Sequence, residues 1–503
     1  MQAKKNIVSF GFIRLDGRKK LPLFRQLYNE LRTAILDGRL AASTRLPSSR
    51  DLGDQLNVSR TTVVSAIDRL IGEGYLVAEV GRGTFVSKDI PSEHPFIHTS
   101  PPRSSTTASR KKTPSLPQFS QRGEQYNTVT ANSLDASIVK PFQPGVPALD
   151  KFPMAVWAKV VRRVWSNISA RQLTYGEPAG YFRLRQSIAE YLRAHRGVRC
   201  QTEQVIVVSG TQQAIEVISR LTIDEGDTVL FENPGYVNSR EIIARNGGRI
   251  VPMQVDENGV NVTDAIRRHP SAKLAYVTPS HQYPIGITMP IERRMELIQW
   301  AGRTGGLLVE DDYDSEYRYA QSPIPSMQGL DSSERTIYIG SFSKVIFPAL
   351  SMGYIVVPSR MVVAFEHALS LAARPPSHVD QLILNEFIRA GHFGRHLRRM
   401  RKTHADRHHA FTEALGKHLP GKLKLPGSQA GLHCAAILAG KKSDRQISER
   451  LDKIGIVARP LSHYYSKKTK AANRLNGLVF GFACATPTQL RQAVQKSAPI
   501  IGW

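Results

Sequence analysis

Leu307-Leu308-Val309-Glu310-Asp311-Asp312-Tyr313 and, further along, Gly340-Ser341-Phe342-Ser343-Lys344 decide how this chain is read. The first segment is a short apolar strand, Leu307-Leu308-Val309, that runs into three acids. The second places a lysine after two hydroxyl side chains, behind another apolar run, Thr336-Ile337-Tyr338-Ile339. A lysine amine can form a Schiff base with a carbonyl compound, and a carboxylate can hold a positive charge on the bound group. Both fall near the carboxyl ends of strands, where sites on α/β sheets gather. Working outward, Val205-Ile206-Val207-Val208, Val229-Leu230-Phe231 and Leu274-Ala275-Tyr276-Val277 also read as short buried strands. Helical stretches, such as Gln212 to Leu221, lie between most of them. Strand–helix alternation from about residue 141 implies an α/β domain with a mainly parallel sheet.

Pyridoxal phosphate is one such carbonyl compound, and it needs three kinds of support. A carboxylate must face its pyridine nitrogen, and Asp311 is placed for that. Its phosphate needs a helix N-terminus and hydroxyls. Gly210-Thr211-Gln212 opens a helix after the strand ending at Val208, and Ser341 and Ser343 precede Lys344. A flat side chain should stack on the ring, and Tyr236 in Glu232-Asn233-Pro234-Gly235-Tyr236 follows another strand. Tyr313 could hydrogen-bond the phenolic oxygen. Taken singly, a lysine after serine is ordinarily a surface residue, Tyr236 a core residue and Asp311 a cap. Glu310 and Asp312 read as structural. In this order and at strand ends, the set favours a pyridoxal phosphate site.

The first ninety residues follow a different pattern. Pro22 opens a helix in which apolar positions recur at Leu23, Leu27, Leu31 and Ile35 and which closes at Gly38. A second helix runs from about Ser48 to Leu56, and a third starts at Ser59 with Val63, Ile67 and Leu70 as its apolar face. Tyr75 to Val80, Gly81-Arg82-Gly83 and Thr84-Phe85-Val86 read as a hairpin with a glycine turn. Helix, helix, recognition helix and hairpin make a winged helix-turn-helix over residues 20–87. Ser59, Arg60, Thr61 and Thr62 fall at the end of the third helix that meets base edges. Arg60 can fork onto guanine, and Ser59 or Thr61 can bond phosphate. Arg45 and Arg50 suit phosphate contacts, and Arg82 at the hairpin tip suits the minor groove or the backbone. The plainer alternative is a small helical module for protein contacts.

The formal net charge of +26 points to an anionic partner, and operator double-stranded DNA fits it. Residues 88–140 are rich in Ser, Thr, Pro, Lys and Arg and read as a flexible linker between the two domains. Three scattered cysteines, Cys200, Cys434 and Cys484, argue against a disulfide scaffold and a zinc site and fit a reducing compartment. No signal-like segment and no apolar run of membrane-spanning length is seen, so the expectation is a cytoplasmic protein with no membrane partner.

The N-terminal stretch closely resembles the GntR family of bacterial repressors. Leu46-Pro47-Ser48-Ser49-Arg50-Asp51-Leu52, Val58-Ser59-Arg60-Thr61-Thr62-Val63, Glu73-Gly74-Tyr75-Leu76 and Gly81-Arg82-Gly83-Thr84-Phe85-Val86 carry the likeness. It implies that Arg50, Ser59, Arg60, Thr61, Thr62 and Gly81 touch DNA. Residues 141–503 resemble a fold-type-I aminotransferase domain with a small C-terminal α/β subdomain. The matching segments include Tyr175-Gly176-Glu177-Pro178, Ser209-Gly210-Thr211-Gln212, Thr278-Pro279-Ser280-His281-Gln282-Tyr283-Pro284 and Pro460-Leu461-Ser462. The fusion resembles the MocR/GabR type of regulator. The resemblance implies Lys344 as the Schiff-base lysine, Asp311 as the pyridine-nitrogen partner, Tyr236 as the stacking ring and Tyr313 as the phenolate partner. It also brings Gln282 and Tyr283 toward the ring oxygen and Tyr175 toward the phosphate of the partner subunit in a homodimer.

Three features depart from the family pattern. Ser351 stands where an arginine usually clamps the cofactor phosphate, and Ile285 stands where Thr or Ser is usual. Gly477-Leu478-Val479-Phe480-Gly481-Phe482-Ala483 lacks the late arginine that forks a substrate carboxylate, with Arg459 and Arg474 nearby in sequence. The favoured expectation is a bacterial transcriptional regulator that senses pyridoxal phosphate or its adduct with a small amine or amino acid. The alternatives are an active aminotransferase carrying a DNA-binding module, and a DNA-binding protein whose large domain has lost the cofactor and only dimerises.

Overall fold

Pro22, with no N–H to lose, opens α1 (Leu23–Leu36), which buries Leu27, Leu31, Ala34 and Ile35 along one face. Ser48 caps α2 (Ser49–Leu56), its hydroxyl accepting the Asp51 N–H at 3.1 Å. Asn57 turns the chain in the left-handed region (φ 53°) into α3 (Arg60–Gly72). Ser59 caps α3 by accepting the Thr62 N–H at 3.1 Å. The turn is tight, since a Cβ on Gly53 would lie 3.1 Å from the Val58 carbonyl oxygen. β1 (Leu76–Glu79) and β2 (Gly83–Val86) pair antiparallel as the wing, with Leu76 opposite Val86. Leu52, Val63, Leu70, Leu76 and Val86 close one core with α1.

This is a computed structural model, and it describes residues 10, 12–17, 21–88, 119–124, 126, 139–319, 324–372, 375–427 and 430–502. The chain divides into two units, residues 1–117 and 118–503. Most of the stretch read as linker, 88–140, lies outside the described residues. Its described part is not featureless: Gln121–Glu124 forms a helical turn, and the Arg245 guanidinium lies over the Tyr126 ring at 4.9 Å.

The large unit is built on an eight-stranded sheet of β3 (Val205–Val208), β4 (Thr228–Asn233), β5 (Arg249–Asp256), β6 (Gly259–Val260), β7 (Leu274–Val277), β8 (Leu307–Asp312), β9 (Thr336–Ser341) and β10 (Gly353–Val356). Their order across the sheet is β3-β10-β9-β8-β7-β4-β5-β6. From β9 to β5 the pairs are parallel, whereas β10 runs antiparallel to both β3 and β9. Strand alternation sorts side chains between two cores. Leu274, Tyr276, Leu307 and Val309 face one, and Ala275, Val277 and Leu308 face the other. β8 extends past the expected end at Val309 to include all three acids. Parity then sends Asp311 to the Tyr276 side and Glu310 and Asp312 to the opposite one.

A second, antiparallel sheet joins β11 (Leu423–Lys424), β12 (His433–Leu438), β13 (Arg459–Pro460) and β14 (Gly477–Gly481) in the order β11-β12-β14-β13. With the helices Asp444–Lys453 and Pro487–Ile501 it forms the small C-terminal α/β subdomain. Among the described residues, no helix is long and apolar enough to cross a membrane.

Candidate functional site

Because β4, β7, β8 and β9 run parallel, the residues at their carboxyl ends converge on one edge of the sheet. A cavity of about 280 Å3 opens there. Tyr236 and Asn238 follow β4, Thr278 follows β7, Asp311, Tyr313 and Asp314 end β8, and Lys344 follows β9; all of them line it. Thr211, at the start of the helix Thr211–Thr222, and Leu432, His433, His463 and Tyr464 from the small subdomain complete much of the wall.

Asp311 is held from one side only. Its Oδ2 accepts a 2.5 Å hydrogen bond from Tyr276 Oη, while its Oδ1 is buried with no partner among the described residues. Burial, then the neighbouring Asp312 and Asp314, push this carboxyl up to about 7. A cationic N–H donor would satisfy the orphaned oxygen and reverse that shift. Lys344 faces the same space, its Nζ donating to the Gly145 carbonyl at 3.0 Å. Burial lowers the amine's pKa, and Asp314 and Asp311 oppose the change. Desolvation of this kind makes a lysine a nucleophile. Glu310 and Asp312 serve the scaffold. Glu310 accepts the Met327 and Gln328 N–H groups, each at 2.9 Å, and Asp312 pairs with Arg196 at 2.7 Å.

Gly210 takes φ +95° before the helix Thr211–Thr222, whose first turn presents N–H groups without helical acceptors. Ser351 stands beside this turn, its Oγ 3.4 Å from the Ser209 carbonyl oxygen, so the position of the usual arginine is adjacent to the start of that helix. Ser341 and Ser343 are half-buried behind it, the Ser343 N–H donating to Ser341 Oγ at 3.2 Å. Neither Gln212 nor Gln282 lines the cavity. The Gln282 amide donates instead to Glu232, Pro234 and its neighbour Tyr283, at 3.1, 2.9 and 2.7 Å, so it braces the loop and does not point to the ring site. Tyr283 takes the cavity position, with its ring edge-on to Tyr236 at 5.6 Å. The Tyr313 hydroxyl donates to the His281 carbonyl at 2.9 Å. His281 in turn meets Asp314 at 3.1 Å. Tyr175 is 82% exposed.

Tyr276, Asp314, His433, His463 and Tyr464 were not found from the sequence. Tyr276 sits inside an apolar strand, and only its pairing beside β8 brings it to Asp311. Asp314 lies just past β8, and His433, His463 and Tyr464 come from segments distant in the chain.

In the N-terminal unit, Arg45, Arg50, Ser59, Arg60, Thr61, Gly81 and Arg82 are exposed, and Thr62 is half-buried. Ser59 and Thr62 hydrogen-bond to each other at 2.9 Å, so their hydroxyls form the cap of α3. Arg60 reaches back to Ser49 Oγ at 3.3 Å, and Arg82 pairs with Glu79 at 2.6 Å on the wing. The Arg45 guanidinium folds over Gly83, where a Cβ would meet its Nε at 2.9 Å.

Comparison with known proteins agrees with both halves. Residues 142–496 match the family "Aminotransferase class I and II", and residues 23–86 match "Bacterial regulatory proteins, gntR family". The chain is 37% identical over 482 residues to the probable rhizopine catabolism regulatory protein MocR of Rhizobium meliloti, covering 95% of this chain and 94% of that one. It is 32% identical to the HTH-type pyridoxine biosynthesis transcriptional regulator PdxR of Corynebacterium glutamicum, covering 95% and 96% of the two chains. Among solved structures, the α-aminoadipate aminotransferase LysN of Thermus thermophilus, complexed with N-(5'-phosphopyridoxyl)-L-leucine, superposes with a TM-score of 0.69 at 24% identity, over 76% of this chain and 97% of that one. The chain therefore belongs to the family of MocR-like, HTH-type transcriptional regulators, in which a gntR-family DNA-binding domain precedes an aminotransferase class I and II domain.

Proposed function

We propose that this regulator holds pyridoxal phosphate on Lys344 and adjusts its hold on operator DNA when the cofactor, or an amine joined to it, occupies the cavity. The observation that carries this reading is the buried, unpartnered Asp311 Oδ1 in the cavity that Lys344 also lines. Bound pyridoxal phosphate would supply an aldehyde that condenses with primary amines. Asp311 would hold the pyridinium N–H, Lys344 the aldehyde carbon, and Gly210, Thr211, Ser341 and Ser343 the phosphate. Tyr236 would cover the ring, and Tyr313 would have to turn its hydroxyl from His281 to reach the phenolic oxygen.

On the DNA side, Arg60 and Thr61 at the exposed start of α3 would read bases, with Arg45, Arg50 and Arg82 on phosphates or in the minor groove. We take residues 20–87 as the DNA-binding domain, 88–140 as the linker and 141–503 as the cofactor-binding and dimerisation domain, acting in the cytoplasm. Tyr175 would reach toward the phosphate site of a second subunit, and a homodimer would place two winged helices on repeated half-sites. The amine changes DNA binding only through unequal affinity for two arrangements of the dimer.

The test is the visible absorption spectrum of the protein with added pyridoxal phosphate, beside Lys344→Ala, followed by operator binding. A cofactor band present in the wild type and absent from the variant supports the reading. No band at saturating cofactor refutes it. The intact pair Lys344 and Asp311 also permits slow transamination. Multiple turnovers near the enzyme median of about 10 per second would favour the aminotransferase alternative instead.

A further inference from the structure

His281, Asp314 and His433, none of which the cofactor reading uses, meet at one wall of the cavity. His281 lies in the loop after β7, Asp314 lies just past β8, and His433 opens β12 of the small sheet. All three are buried. One imidazole nitrogen from each histidine and one carboxylate oxygen lie within 4.8 Å of one another. Two glycines in the left-handed region let the backbone pass close by. A Cβ on Gly431 (φ +73°) would come within 2.5 Å of Asp314 Oδ2 and His281 Nδ1, and one on Gly286 (φ +88°) within 2.9 Å of His281 Nε2. None of the three cysteines takes part. The spacing of residues 281, 314 and 433 forms no local motif, so only the tertiary fold assembles the set.

Hydrogen bonding accounts for only part of this cluster. His281 Nδ1 lies 3.1 Å from both Asp314 oxygens and 3.0 Å from Tyr313 Oη. His433 Nε2 donates to the Pro284 carbonyl at 3.2 Å. A carbonyl only accepts, so the proton sits on Nε2 and the lone pair on Nδ1. Among the described residues that Nδ1 has no hydrogen-bond partner, and no hydrogen bond joins His433 to Asp314 or His281. Histidines that ligate metals hold their second ring N–H on a carbonyl or carboxylate in this way and keep the other nitrogen for the ion. Zinc bonds nitrogen and carboxylate oxygen at about 2.0–2.2 Å, which sets tetrahedral donors about 3.4 Å apart. The three donors therefore need to close by less than about 1.5 Å. Two imidazoles with a carboxylate suit zinc, whereas calcium and magnesium take oxygen ligands.

We propose that His281, Asp314 and His433 form a binding site for a divalent ion of the zinc type. The inference stands apart from the pyridoxal phosphate reading. Three protein ligands leave one position of a tetrahedral ion to water or a small molecule. Asp314 and His433 line the cavity, so that position opens into it. The ion replaces the hydrogen bond between His281 and Asp314 and engages the idle lone pair of His433. It also occupies the nitrogen that the Tyr313 hydroxyl faces.

The test uses the full-length, chelator-treated protein without any affinity tag and without added cofactor. Cobalt(II) is titrated in and followed by visible absorbance, because tetrahedral cobalt absorbs far more strongly than the hydrated ion. One equivalent per chain should develop the tetrahedral bands, and one equivalent of zinc should remove them. His281→Ala, Asp314→Asn and His433→Ala should each weaken cobalt binding by more than about 100-fold, beyond the 10- to 100-fold typical of losing an outer-shell partner. His433→Cys should keep the ion and add a thiolate-to-cobalt charge-transfer band, which a merely structural histidine would not produce. His409→Gln, on the exposed side of the helix His392–His418, should leave the titration unchanged. Tetrahedral bands that survive all three site variants, or that fade with His409→Gln, would overturn the proposal in favour of adventitious surface binding. Absence of tetrahedral bands in the wild type overturns it whatever the variants do.

Discussion

Ser351→Arg should tighten pyridoxal phosphate binding. The serine occupies a left-handed backbone position, φ +45°, so the cost of that conformation is already present and arginine adds little to it. Its hydroxyl makes one long contact, 3.4 Å to the Ser209 carbonyl, whose loss costs at most about 0.5 kcal/mol. The side chain is exposed, so a new guanidinium pays little desolvation there. A charge-assisted hydrogen bond contributes roughly 1.5–3 kcal/mol. The net gain is about 1–2.5 kcal/mol, or roughly 5- to 70-fold in affinity. Titration of cofactor absorbance into wild type and variant measures it. Two controls sharpen the result. Pyridoxal, which lacks the phosphate, should bind both proteins alike, and added salt should shrink the gain. Affinity within two-fold of wild type, or an equal gain with pyridoxal, would refute the placement of the phosphate beside Ser209 and Thr211.

Other outcomes follow from the same geometry. Asp311 has a folded pKa raised to about 7, above its unfolded value, so the cofactor-free protein gains stability from it at low pH and loses that gain as pH rises through about 7. Asp311→Asn should therefore raise the melting temperature of cofactor-free protein more at pH 8 than at pH 5, while weakening cofactor binding; a difference independent of pH counts against the buried carboxyl. Arg60→Ala should lower operator affinity by roughly 1–3 kcal/mol in gel-shift titrations with little change in melting temperature. Ser59→Ala removes the cap of α3 and should cost about 1 kcal/mol of stability in thermal unfolding of the N-terminal unit. Arg196→Met strands the buried Asp312 carboxylate and should destabilise the large unit by about 3–5 kcal/mol in denaturant unfolding.

Much of this was legible in the sequence because local physics repeats. Ser48 and Ser59 announced the two helix starts, since a hydroxyl two or three residues before free N–H groups is a cap wherever it occurs. The strand over Val205–Val208 and the helix after Gly210 were read from apolar runs and a glycine, and both formed close to their expected bounds. Strand β8 was read too short, because acids ordinarily end a strand. Here Glu310, Asp311 and Asp312 continue it, since Met327, Tyr276 and Arg196 give each a buried partner.

By itself, then, the sequence determined the two-part architecture, the strand-end placement of Lys344 and Asp311, and the exposed start of α3. These depend on periodicity, caps and turn residues within a few positions of one another. Only the tertiary structure decided that Tyr276 holds Asp311 from one side, that Gln282 turns into the scaffold while Tyr283 takes its place at the cavity, and that His281, Asp314 and His433 meet. Those facts depend on strand order and register, which set neighbours across long stretches of chain and leave no local trace in composition or spacing.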